Sequence, residues 1–308
     1  MAERVRVTAE QIKRLEVQGA RSIAIAAIKA IETLAEQTKA KKKASFIDEL
    51  KEAQALLSAS RETEPLMRNA LHCIITQAQE SKTEKIDELC KTVASNTRQF
   101  LADLESSREC TAEIGAKRIL DGDVILTHCH SSTVTRLFAK AKKAGKNFKV
   151  ICTETRPAFQ GRITAKEMVD LGIETTFIVD SAARSFMANV NIVLVGADAI
   201  SSEGNVINKI GTSTIAVVAN EAQKPFYVVS ELLKFDPETL FGEHEKIEQR
   251  KAEEVWMEGP KNLRIQNPAF DVTPNNYIHG IICEEGVIAP QSIIEVIHRR
   301  YPWVLKHS

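Results

Sequence analysis

Residues 121–134 read DGDVILTHCHSSTV, and residues 191–212 read NIVLVGADAISSEGNVINKIGT. Each stretch places a short apolar run between turn formers, then polar chemistry, then the start of a helical pattern. Unbroken apolar runs of this length suit strands buried on both faces of a parallel sheet. Further runs at 148–151, 175–179 and 226–229 alternate with helical stretches at 133–144, 164–171, 181–188 and 213–223. Strand–helix alternation of this kind predicts an α/β fold with a Rossmann-like parallel sheet. A last run at 281–283 leads through Gly286 to a helix near 291–299.

Upstream the pattern changes. Ile12, Leu15, Ile23, Ile28, Ile31 and Leu34 fall mostly three or four residues apart and predict one helix over about 8–37. The lysine-rich stretch 39–43 breaks it. Further helices are expected near 46–57, 64–80 and 82–104, with no strand before 120. The chain is therefore expected to have a helical N-terminal domain over 1–115 and a Rossmann-like domain over 116–308. The charged stretch 241–256 reads as a surface helix or insertion.

With 308 residues, 41 basic and 41 acidic, the formal net charge is zero, which offers no argument for bulk nucleic-acid binding. The six cysteines show no CxxC spacing, so neither structural zinc nor a redox dithiol is expected. Dispersed thiols, no apolar leader and no apolar run near 18 residues predict a cytoplasmic protein that spans no membrane. There is no GxGxxG after the first strand, no GxxxxGK[ST] and no HExxH. Neither a nucleotide cofactor nor a catalytic metal is expected.

Cys129 and Asp198 each follow a predicted strand. Open parallel sheets bind ligands outside the carboxyl ends of their strands. A thiol and a carboxylate delivered there suit an acid/base pair, with Asp198 alone equally suited to capping a turn. Ser131, Ser132 and Thr133 open the next helix, whose N–H groups suit an anion. That helix is expected to lower the Cys129 pKa. Asn208, Lys209 and Lys234 follow later strands, and Arg21 and Arg61 lie in the helical domain. Any of these cations could hold phosphate. Glu154, Arg156 and Asp180 mark polar loops after the second and third strands.

The stretches QGARSIAIAA, ILTHCHSSTV, TETRPAFQG, VGADAISSEGNVINKIGT, PFYVVSELLKF and VTPNNYIHGIICEEGVIAP together resemble one superfamily. It unites the alpha, beta and delta subunits of translation initiation factor two-B, methylthioribose-1-phosphate isomerase and archaeal ribose-1,5-bisphosphate isomerase. The isomerases use a cysteine after the first sheet strand and an aspartate after a later one, and Cys129 and Asp198 fill both positions. Cys-His-Ser-Ser-Thr at 129–133 is similar to the ribose-1,5-bisphosphate group rather than to the Cys-Asn loop of the methylthioribose enzymes.

The resemblance implies an isomerase that takes α-D-ribose 1,5-bisphosphate to D-ribulose 1,5-bisphosphate in archaeal nucleoside-monophosphate degradation. It further implies AMP as an activator and a homo-oligomer, a hexamer assembled as a trimer of dimers. By the same resemblance Gly19, Ala20, Arg21, Arg61, Ser131, Ser132, Thr133, Asn208, Lys209 and Lys234 bind the sugar bisphosphate. The alternatives are a regulatory subunit acting on the small GTP-binding factor two, and the methylthioribose-1-phosphate reaction.

Overall fold

In the computed structural model residues 3–61, 63–243 and 247–306 are described. The contacts divide the chain into two units, 1–106 with 301–308, and 107–300.

The first unit is helical: α1 (Glu3–Lys13), α2 (Ala20–Gln37), α3 (Lys43–Ser58), α4 (Pro65–Glu80) and the first part of α5 (Ile86–Ala116). Where one helix was expected over 8–37, the structure has two. Leu15 takes φ 64 and Gly19 φ 83, left-handed conformations that no helix continues through. Apolar positions at helical spacing bury together: Ile12 of α1, Ile23, Ile28 and Ile31 of α2, Phe46 and Leu50 of α3, Leu66 and Ile74 of α4. Pro65 starts α4, where its missing N–H has no intrahelical partner to lose.

The second unit is α/β. Its main sheet contains β1 (Val124–Thr127), β2 (Lys149–Thr153), β3 (Glu174–Ile178), β4 (Ile192–Val195), β7 (Phe226–Val229), β9 (Gly280–Cys283) and β10 (Gly286–Ile288). The strand order is β10-β9-β7-β4-β1-β2-β3, with every neighbour parallel except the β9–β10 hairpin. Helices α6 (Ser132–Lys143), α7 (Gly161–Asp170) and α9 (Thr212–Glu221) connect the strands, and α10 (Ile293–Arg300) follows β10. The expected crossover helix at 181–188 is only the short α8 (Ala183–Phe186), flanked by 3-10 turns. Every residue of β4 is buried, as a central parallel strand covered on both faces requires. Ile125, Leu137, Phe138, Val150 and Leu194 belong to one core cluster.

A second, antiparallel sheet was not expected from the sequence. It orders β5 (Ala199–Ile200), β6 (Val206–Lys209) and β8 (Phe270–Thr273) as β5-β6-β8. Ala199, Ile207, Ala269 and Phe270 form its core. The stretch 241–256 forms no α-helix among the described residues; Gly242, at φ 83, ends a 3-10 turn, and residues 244–246 lie outside them.

Candidate active site

The chain leaves β1 toward β2 on one side of the sheet, and β4 begins the other side. The carboxyl ends of β1 and β4 therefore flank the switch point, where such sheets open a crevice for ligands. Cys129 lies two residues beyond the end of β1 and Asp198 three beyond the end of β4.

Cys129 is 8% exposed and takes φ 69, a left-handed conformation costly for a side chain with a Cβ. Its neighbours hold it there. The Cys129 N–H donates to Thr155 Oγ1 at 2.9 Å, and its carbonyl accepts from Thr164 Oγ1 at 2.9 Å. The thiol points toward Gln160 Oε1 at 3.5 Å. Thr155 and Phe159 also have positive φ, in the loop that carries Gln160. Asp180 fixes that loop by accepting from the N–H groups of Thr155 and Arg156, each at 2.7 Å.

The low thiol pKa expected from the start of α6 is not found. Burial pushes Cys129 up to about 12; Lys209 acts in the opposite direction, and the Asp198 and Asp180 carboxylates push further up. Desolvation of a buried thiolate outweighs the dipole of one helix end. The α6 terminus is also partly satisfied within the chain, since Ser131 Oγ accepts from Val134 N at 3.5 Å. The Lys209 and Asp198 charges thus both reach this thiol, with opposite effects. Asp198 is half-buried, its N–H donating to Ile207 O at 2.9 Å.

His128 is 1% exposed. Its Nε2 lies 2.8 Å from Ile210 O and its Nδ1 2.6 Å from Thr153 Oγ1. A carbonyl only accepts, so Nε2 carries the proton and Nδ1 accepts from the threonine. Burial lowers its pKa, which keeps the ring neutral. This imidazole ties the end of β2 to the segment after Lys209. Gly211 follows at φ 102, and a Cβ there would lie 3.1 Å from the ring.

The other expected ligands of the second unit collect at the same strand ends. Lys234 Nζ donates to Ala197 O at 2.6 Å, one residue before Asp198, and lies 3.8 Å from Glu231 Oε2. Thr133 Oγ1 donates to the other Glu231 oxygen at 3.0 Å. Glu231, 1% exposed, thus links two expected phosphate ligands, and its role depends on folding rather than on any local sequence signal. Gly196 lets Ser131 approach, because a Cβ there would come within 2.7 Å of Ser131 Cβ. Asn208 Nδ2 donates to Thr212 Oγ1 at 3.0 Å, while Ser132 is exposed at the first turn of α6.

Gly19, Ala20, Arg21 and Arg61 belong to the first unit. Gly19 and Ala20 open α2. Arg21 donates to Leu104 O at 3.0 Å and pairs with Glu105, and Arg61 is buried 3.6 Å from Glu64.

The strand order is that of a Rossmann-like scaffold, with a thiol and a carboxylate just beyond the strands at its switch point and Lys234 bonded one residue before the carboxylate. The chain belongs to the Initiation factor 2 subunit family, whose model matches residues 16–290. A ribose 1,5-bisphosphate isomerase of Pyrococcus furiosus is 42% identical over 97% of this chain and 94% of its own. A methylthioribose-1-phosphate isomerase of Desulforamulus reducens is 35% identical over 91% of this chain and 85% of its own. Among solved structures, one described as translation initiation factor eIF-2B of Pyrococcus horikoshii superposes with a TM-score of 0.82 at 34% identity, covering 94% of this chain and 98% of that one.

Proposed function

We propose that this protein is an isomerase that converts α-D-ribose 1,5-bisphosphate to D-ribulose 1,5-bisphosphate, with Cys129 and Asp198 as its acid/base pair. The observation that carries this reading is the placement of Cys129 and Asp198 just beyond the carboxyl ends of β1 and β4, at the switch point of the sheet. The higher identity to a ribose 1,5-bisphosphate isomerase than to a methylthioribose-1-phosphate isomerase supports the choice of substrate.

Phosphate on C1 blocks simple opening of the sugar to an aldehyde. Cys129 as thiolate takes the proton from C2, the C–H electrons form the C1–C2 double bond, and the C1–O4 bond breaks. Asp198, protonated, gives its proton to O4. The enol hydroxyl at C2 then returns a proton to the Asp198 carboxylate while the Cys129 thiol protonates C1. Both groups end in the state in which they began.

The pair needs Cys129 as thiolate and Asp198 as acid, whereas burial favours the neutral thiol. Moving the proton from Cys129 to Asp198 supplies both forms at once, with no net uptake or release. Burial makes the thiolate costly, and the Lys209 charge acts against that cost. Ser131, Ser132, Thr133, Asn208, Lys209 and Lys234 bind the phosphates and hydroxyls in this reading. Cytoplasmic location, a hexamer of identical subunits and activation by AMP belong to it as well.

The test is turnover of the purified protein on ribose 1,5-bisphosphate, with and without AMP, beside methylthioribose 1-phosphate. Conversion of the bisphosphate alone is expected. Conversion of only the methylthio compound overturns the substrate, and conversion of neither overturns the enzyme reading.

A further inference from the structure

β8 runs antiparallel beside β6 in a register that sets Asp271 opposite Asn208 and Phe270 opposite Lys209. Neighbours on a strand face opposite sides, so these two residues support the site-bearing strand in different ways. Phe270, 3% exposed, places its ring under the Lys209 ammonium, with Nζ 4.9 Å from the ring centroid. The Asp271 carboxylate accepts from Gly211 N at 2.7 Å and from Ser213 N at 3.1 Å and 3.2 Å. The opening N–H groups of a helix lack intrahelical partners and favour an anion. Asp271 is thus a cap for α9 supplied from about 60 residues further along the chain. With His128 on Ile210 O, the link from Lys209 into α9 is held by a ring, a carboxylate and an imidazole.

This support has a cost. Burial pushes the Asp271 carboxyl up to about 6, against the two N–H groups that favour its ionised form.

The structure assigns Phe270 and Asp271 to the site as positioning residues: together they aim the Lys209 ammonium at the Cys129 thiol. The assignment deepens the proposed role of Lys209 and rests on that reading. Cation–π attraction fixes the end of a flexible side chain that would otherwise sample many rotamers. The Asp271 cap fixes the backbone immediately after it.

The experiment compares Phe270→Leu, Asp271→Asn and Lys209→Met, and each of the first two combined with Lys209→Met. Two quantities are read: the rate of Cys129 alkylation by iodoacetamide at pH 8, resolved by peptide mass, and kcat and KM on ribose 1,5-bisphosphate. Phe270→Leu and Asp271→Asn are expected to slow Cys129 alkylation several-fold and to lower kcat in parallel. Neither should add to Lys209→Met, because both act through that ammonium. Unchanged alkylation in the single variants, or effects that multiply with Lys209→Met, would overturn the assignment. Phe270→Leu keeps an apolar side chain in the small core, so the test does not depend on whether Asp271→Asn folds. The alkylation readout needs no substrate, so it stands apart from any failure of the isomerase reading.

Discussion

In the proposed mechanism Cys129 carries the chemistry, and its environment makes two predictions. Replacing it with serine removes the base while preserving shape, so Cys129→Ser should lose about 10³-fold or more in kcat with an unchanged circular dichroism spectrum. The second concerns pH. The proposed mechanism makes the thiolate by passing the Cys129 proton to Asp198, so the competent form is a constant fraction of the protein while burial holds the thiol protonated. kcat/KM should therefore vary less than about twofold between pH 7 and 9. A slope of one log unit per pH unit across that range would instead show a thiolate made by loss of a proton to solvent. The position of both residues just beyond a strand was legible in the sequence, from the apolar runs that precede them. The direction of the thiol shift was not. It depends on burial by residues such as Gln160 and Thr164, which belong to another loop and helix.

Strands and helices place these residues through contacts that a few glycines permit. A Cβ on Gly161 would lie 1.8 Å from Thr153 O, where α7 begins against the end of β2. Gly161→Ala must push α7 away from the sheet and with it Gln160 and Thr164, the partners of Cys129. A loss of about 2–3 kcal/mol in stability is expected in urea unfolding, together with reduced turnover. Wild-type stability would show that α7 is seated differently. The apolar runs of β1, β4 and β7 announced themselves because parallel strands are buried on both faces. β6 and β8 did not, because VINK and FDVT are short and mixed. Asp271 was invisible for a related reason: it matters only through a register that pairs it with Asn208 across 63 residues of chain. The break between α1 and α2 leaves no mark on the apolar spacing, which continues across it while Leu15 and Gly19 turn the backbone.

The whole chain buries thiols as well as apolar side chains. Cys129, Cys152 and Cys283 are each pushed up to about 12, in every case mainly by burial. Their folded pKa values lie above the unfolded value near 9, so their contribution to stability is complete below that pH and lost as pH rises toward 12. Each thiol withdraws at most ~1.4 kcal/mol per pH unit above about 9. The melting temperature should thus hold steady from pH 7 to 9 and fall steeply from 9 to 11. A triple Cys→Ala variant should flatten that fall, and an equally steep fall in the variant would assign it to other groups. The helical unit followed by a parallel α/β unit was readable from periodicity alone, since a period near 3.6 gives way to short apolar runs near residue 120. The small antiparallel sheet that carries Asn208 and Lys209 is the part that only the folded chain reveals. The most direct test of the whole account is conversion of ribose 1,5-bisphosphate deuterated at C2, followed by NMR with the wild type and Cys129→Ser. The wild type should form ribulose 1,5-bisphosphate with part of the deuterium moved to C1, and the variant should form almost none. No product from the wild type, or equal rates for the two proteins, would contradict it.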